Sequence, residues 1–246
     1  MMLENQAELK IAADAAALAR EAASEFAKCA EAAVAQRGRF SVALSGGNTP
    51  RAVNELLAEQ YKNSLPWEKI FFFFGDERHV PPTHPDSNYR MANESLFSRA
   101  PVPPENVFRM QTELAADRAA QKYEDALRQF FQLPAGSWPQ FDLIFLGLGD
   151  DGHTASLFPG TAALNESSRL VVANPVEKLK TDRITFTFPV LNHAREVLFL
   201  VAGGGKAPIL REVLRPSNGA TYPAQMVHPE GGRVLWLADQ EAARLL

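Results

Sequence analysis

A single cysteine, Cys29, occurs in the 246 residues. That scarcity rules out an intrachain disulfide and any metal centre built on several thiolates. It suits a reducing compartment, and Cys29, inside the Ala-rich run AKCAEAA, reads as a small buried apolar residue. Long apolar runs are missing as well. No stretch approaches the ~20 residues that a membrane-spanning helix needs. The opening MMLENQAELK has neither the basic nor the apolar region of a secretion signal. Nor is there an excess of positive charge: 25 Lys and Arg stand against 29 Asp and Glu, a net charge of −4. No global basic field exists to gather nucleic acid or an anionic membrane, so an anionic ligand has to be met by local positive groups. Together these absences predict a cytoplasmic chain with neither a nucleic-acid nor a membrane partner. HExxH, GxSxG and the Walker GxxxxGK[ST] pattern are absent too. A zincin, a serine-nucleophile hydrolase and a P-loop nucleotidase are therefore disfavoured.

What the chain does contain is an alternation of helical stretches and short, solidly apolar runs. With 46% hydrophobic residues it can bury a sizeable core. An Ala-, Glu- and Lys-rich region over 4–36 predicts one or two helices stopped by Gly38. Strands are predicted at 40–44, 70–74, 107–110, 141–146, 183–188, 197–202 and 234–237. Helices are expected at 51–61, 87–97 and 114–131, after Lys206 to about Leu214, and near the C-terminus. Runs such as IFFFF and FDLIFL are apolar at every position, as strands buried on both faces are. The expected fold is α/β: a single doubly wound, Rossmann-like, mostly parallel sheet with helices on both faces, forming one domain over 1–246.

Four strands run into loops of unusual composition, after Leu44, Phe74, Leu146 and Ala202. In open α/β sheets ligands bind outside the carboxyl ends of the strands, so these loops are expected to meet at one crevice. Ser45-Gly46-Gly47-Asn48-Thr49-Pro50 joins a strand to a helix. Small residues, free N–H groups and a helix N-terminus make Gly46, Gly47, Asn48 and Thr49 candidates for binding an anion. The plainer alternative is a tight turn with an Asn or Thr cap. Gly203-Gly204-Gly205-Lys206 is a second such loop, in which Lys206 adds a point charge suited to phosphate. Its alternative is a flexible turn carrying a solvated lysine.

Gly147-Leu148-Gly149-Asp150-Asp151-Gly152 matches GxGxxG after a strand. Two aspartates would then sit where a pyrophosphate must, and no acidic residue follows at a strand end ~20 residues on, so a dinucleotide site is rejected. The glycines instead turn the chain sharply and present Asp151 and His153. Imidazole titrates near neutrality, and beside a carboxylate His153 is the candidate general base. His79, His84, His193 and His228 read as structural or exposed. A metal at His79 and His84 would lack further ligands. Asp76-Glu77-Arg78 offers carboxylates and a guanidinium at another strand end. Asp76 and Arg78 join the candidate catalytic set, with Arg78 able to bind phosphate or hold an oxyanion. An internal salt bridge among the three is the alternative.

Taken together, ALSGGNTP (43–50), FFGDERHVPPTHPDSNYRMANESLF (73–97), FDLIFLGLGDDGHTASLFPGT (141–161), RITFTFPVLNHA (183–194) and VAGGGKA (201–207) resemble the 6-phosphogluconolactonase family, in the family's order. The resemblance implies hydrolysis of 6-phospho-D-glucono-1,5-lactone to 6-phosphogluconate in the oxidative pentose phosphate pathway. It implies a cytosolic setting, no cofactor and no metal, and a fold shared with sugar-phosphate isomerases and aminosugar-phosphate deaminases. It implies His153 as base with Asp151 beside it, and Asp76 and Arg78 as the family's DER positions. It further implies Gly46, Gly47, Asn48, Thr49 and Lys206 as phosphate ligands, joined by Arg183 at the head of RITFTF. The partner is then a small phosphorylated sugar lactone, and a monomer is expected. A deaminase or isomerase on this scaffold resembles a pattern with a Glu soon after DGH. Here 154–160 is TASLFPG, without a carboxylate. A non-catalytic sugar-phosphate sensor would carry a basic DNA-binding domain, for which the chain has neither room nor a basic block.

Overall fold

The computed structural model describes residues 7–216, 219 and 221–246. Strands β1 (Glu8–Ala12), β2 (Phe40–Leu44), β3 (Ile70–Phe74), β5 (Leu143–Leu146), β8 (Glu196–Val201) and β9 (Arg233–Asp239) form one sheet in the order β1-β9-β8-β5-β2-β3. Every pairing in it is parallel. The longer helices are α1 (Ala15–Arg37), α2 (Asn48–Gln60), α4 (Ala116–Phe131) and α6 (Ala207–Leu214); α3 (Asn88–Ala92), α5 (Phe188–Leu191) and α7 (Gln240–Ala243) are short. The expected α/β class and mostly parallel sheet are what the chain forms.

The core follows from the period-2 geometry of β3. Its neighbouring side chains point to opposite faces. Phe72 meets Phe26 of α1, Trp67 and Phe97 on one side. Phe73 meets Phe108, Phe130, Phe131 and Phe141 on the other. IFFFF is thus apolar throughout because both faces are covered. Helix α1 buries Leu18, Ala22, Phe26, Ala30 and Ala33, spaced three or four apart as one helical stripe requires. Asp14 caps its start by accepting from the Ala17 N–H at 2.7 Å. Gly38 closes its end in the left-handed region at φ 76° and returns its N–H to the Val34 carbonyl, so the predicted stop is where it was expected.

Three features depart from the sequence expectations. Residues 4–6 lie outside the described residues, and the rest of the predicted N-terminal helix begins instead with β1. The alternation in Glu8-Leu9-Lys10-Ile11 is a strand pattern, and pairing with β9 outweighs the local helix propensity. The stretch 107–110 makes no strand; Val107 forms only an isolated bridge to Phe72. Finally, a second sheet is present. β4 (Asp76–Arg78), β7 (Thr181–Phe186) and β6 (Val171–Val176) pair antiparallel in the order β4-β7-β6. β4 follows β3 after only Gly75, whose carbonyl accepts the Phe186 N–H at 2.8 Å. The small sheet is therefore hinged on the carboxyl end of the large one.

Candidate active site

Strand order reverses at one place in the large sheet. From β2 the chain steps outward to β3, then returns to β5 on the other side of β2 and continues to β8 and β9. Loops leaving β2 and β5 consequently diverge, and a crevice opens between them. A cavity of about 450 Å³ lies there, and its walls include Ser45, Gly46, Gly47, Asn48, Thr49, Asp76, Arg78, Asp150, His153 and Lys206. All four loops singled out in the sequence meet at this opening.

Part of the cavity wall carries hydrogen-bond donors without partners. Gly47 takes φ 111°, a conformation that favours glycine, and delivers the chain into α2. The N–H groups of Gly46, Gly47, Asn48 and Thr49 have no acceptor among the described residues; the next one, of Arg51, bonds the Gly47 carbonyl. The Ser45 hydroxyl is buried and likewise without a partner. Such an array of donors at a helix N-terminus suits a phosphate. Gly46 has to be glycine, since a Cβ there would lie 1.9 Å from Asn88 Oδ1. Lys206 reaches the opening and holds Asp150 Oδ1 at 2.5 Å. Arg183 lies opposite Arg78 in the β4–β7 pairing. Half-burial and the adjacent Arg78 push the Arg183 pKa down, against the opposing pull of Asp76, Asp86 and Glu77. Arg183 does not itself line the cavity, whereas Arg78 does.

In another part of the wall, His153 Nδ1 lies 2.5 Å from Asp151 Oδ1. Pairing with a carboxylate places the ring proton on Nδ1, leaving Nε2 as the basic nitrogen. The ring stacks on Phe158 with centroids 4.0 Å apart. Partial burial pushes the Asp151 carboxyl up, but bonds from Lys178 and His153 outweigh that and hold it down at about 2. Asp151 is therefore a permanent anion at physiological pH. Gly149 makes room for the imidazole. A Cβ at this position would lie 2.0 Å from the ring, so Gly149→Ala is expected to displace it and lower kcat about tenfold. Steady-state kinetics beside a thermal melt check this, and unchanged kcat would dismiss the packing argument.

Asp76 forms a third wall. It is buried and accepts from Ser156 Oγ at 2.7 Å and from Asn88 Nδ2 at 3.4 Å. The salt bridge weighed for Asp76, Glu77 and Arg78 does not form. Glu77 turns away and caps α3, accepting the N–H groups of Asn88 and Tyr89 at 2.7 and 2.8 Å. Arg78 donates to the Asp86 carbonyl at 2.7 Å. Asp151 sits behind His153, outside the cavity wall. Ser45, Asn88, Ser156 and Lys178 escaped the sequence reading. Ser45 could have been found from its place at the head of the Gly-Gly turn, whereas the other three become visible only through long-range pairing. Cys29 also differs from expectation. It is half-buried and its thiol faces Glu196 Oε2 at 3.6 Å.

Comparison with known proteins agrees with this architecture. A family model described as glucosamine-6-phosphate isomerases/6-phosphogluconolactonase matches residues 13–236. The chain is 49% identical over 216 residues to a 6-phosphogluconolactonase of Synechocystis sp., covering 87% of this chain and 88% of that one. It is 44% identical over 214 residues to a 6-phosphogluconolactonase of Nostoc sp., covering 86% and 87%. Among solved structures, the 6-phosphogluconolactonase from Trypanosoma brucei superposes with a TM-score of 0.84 at 30% identity over 98% of each chain. A monomeric glucosamine-6-phosphate deaminase shares the fold at 20% identity, with a TM-score of 0.80. The chain belongs to the glucosamine-6-phosphate isomerase/6-phosphogluconolactonase family.

Proposed function

We propose that the chain hydrolyses 6-phospho-D-glucono-1,5-lactone to 6-phospho-D-gluconate by water attack assisted by His153. The observation that carries this reading is the His153–Asp151 pair, which frees Nε2 beside a cavity whose wall also carries hydrogen-bond donors without partners. Nε2 takes a proton from water as the oxygen attacks the lactone carbonyl C1. Arg78, in the cavity wall, faces the negative charge that develops on the carbonyl oxygen. The imidazolium, stabilised by the Asp151 carboxylate, then protonates the departing ring oxygen, and the C1–O bond breaks. Asp76, fixed by Ser156 and Asn88, accepts hydrogen bonds from sugar hydroxyls. Gly46, Gly47, Asn48 and Thr49 supply N–H groups to the phosphate, and Lys206 and Arg183 supply charge.

A δ-lactone is an activated ester, so the scheme uses only the chain's own acid–base and anion-binding groups. The test is acid release from freshly prepared lactone, corrected for spontaneous hydrolysis. No acceleration by the folded protein would sink the reading. Lys206→Ala is expected to raise KM roughly tenfold or more with kcat nearly unchanged, because a contact to the non-reacting phosphate binds ground and transition states alike. A KM equal to the wild type's would show that Lys206 serves only Asp150.

The deaminase alternative is not favoured. Where that chemistry needs a further acid–base group, Ser156 is committed to Asp76 and Phe158 to the imidazole. Ammonia release from glucosamine 6-phosphate separates the two activities. We read the chain as one domain, since a contiguous buried cluster takes in residues of both sheets. No described helix is long and apolar enough to cross a membrane. We place the protein in the cytosol as a monomer, which sedimentation of the purified chain would check.

A further inference from the structure

The geometry points to Lys178 as the positioning residue of the His153–Asp151 pair, an inference that rests on the lactonase reading above. Lys178 lies on the short turn Glu177–Leu179 between β6 and β7. This turn is far from the glycine-rich loop in sequence, yet its ammonium bonds Asp151 Oδ2, the oxygen that His153 leaves free. The same ammonium lies 4.7 Å from the centroid of the Phe158 ring, on which the imidazole stacks. Carboxylate and aromatic ring therefore each touch both cation and base, closing a four-membered set. Lys178 does not line the cavity, so it acts through Asp151 and not on the substrate.

Two physical effects follow. An aspartate carboxyl turns easily about its last torsion, and a partner on the second oxygen selects one orientation. That orientation aims Nε2. The ammonium also shares the carboxylate charge that would otherwise fall wholly on the imidazolium. The other charged groups around the imidazole are Asp76 and Arg78 in the cavity wall and the Asp150–Lys206 pair at its opening. Tyr222 packs under Gly152. None of them touches Asp151 Oδ2.

Lys178→Met and Lys178→Arg should be compared with the wild type in lactone kinetics, in the pH profile of kcat/KM, and in the titration of the His153 ring followed by NMR. Lys178→Met is expected to lower kcat about tenfold with KM within about twofold. It is also expected to move the acid limb of the profile, and the ring titration with it, to higher pH by about one unit. Lys178→Arg should restore most of kcat. A rise in KM with kcat and acid limb unchanged would assign Lys178 to substrate binding and overturn the proposal. So would a Lys178→Met protein that matches the wild type throughout. If the wild type turns over no lactone, the functional reading fails by itself. The ring titration, which needs no substrate, then still decides whether Lys178 tunes the pair.

Discussion

His153→Ala leaves a folded protein whose lactone turnover is lower by roughly 10²–10⁴-fold, the range that a positioned acid–base group supplies. The loss should fall on kcat. On the proposed reading the turn after β2 and Lys206, not His153, bind the phosphate, so KM should stay within a few-fold. Folding should survive, because the imidazole is half-exposed and its main contacts are one carboxylate and one aromatic face. Initial rates on fresh lactone at several enzyme concentrations separate this from spontaneous ring opening. Near-wild-type kcat in a protein with native circular dichroism would remove His153 from the mechanism, leaving anion binding and Arg78 to account for catalysis.

Glu77→Ala is expected to act on stability by about 3–5 kcal/mol, through four donors left unpaired at once. The carboxylate is buried and accepts the N–H groups of Arg78, Asn88 and Tyr89 together with the Ser87 hydroxyl, all within 3.1 Å. Burial pushes its pKa up and the three N–H groups pull it down, with burial the larger effect. Removing the group takes the acceptor from the Asn88 and Tyr89 N–H groups in the first turn of α3, leaves Ser87 Oγ to cap Arg90 alone, and loosens Asn88, the residue that steadies Asp76. A fall in Tm of roughly 10 °C is expected for a chain of this size. Glu77→Gln, which keeps the shape and one acceptor oxygen, should lose less. Thermal melts of both variants decide the matter, and a Glu77→Ala protein as stable as the wild type would show that water satisfies these donors.

How far the sequence could be read depended on the range of the forces involved. IFFFF and FDLIFL announced buried strands because the requirement is local: every side chain on a strand covered on both faces is apolar. The turns at Gly46-Gly47 and Gly149 were legible as glycine-bearing turns after apolar strands, whereas the exclusion of a Cβ by Asn88 at Gly46 and by His153 at Gly149 is seen only in the fold. β1 was hidden because five residues of alternation sat inside an Ala- and Glu-rich region, and only its partner β9, more than 200 residues away, turns them into a strand. β6 was hidden because Val171–Val176 contains Asn174 and Pro175, tolerable on an edge strand but not a strand signal by themselves. Arg183 was suspected of meeting an anion, and that Arg78 is its cross-strand neighbour could be seen only once β4 and β7 were paired. The role of Lys178 lay further out of reach. A long flexible side chain on a hairpin turn says nothing about where its ammonium will end.

The pairing of β1 with β9 sets an order of events on the ribosome. Residues up to Ala12 leave the tunnel early, but their hydrogen-bonding partners over 233–239 come more than 200 residues later. At typical elongation rates of ~5–20 residues per second, that is a wait of roughly 10–40 s. β8, which pairs with β9 on its other side, waits for it only a few seconds, since it is made fewer than 40 residues earlier. Charge can guard the waiting segment: Glu8 and Lys10 alternate with Leu9 and Ile11, a pattern that discourages edge-to-edge association. In the finished sheet Arg233 of β9 takes Glu8 at 2.8 Å. The groups that keep the early strand apart from other chains thus become part of the clasp that joins it to the last one.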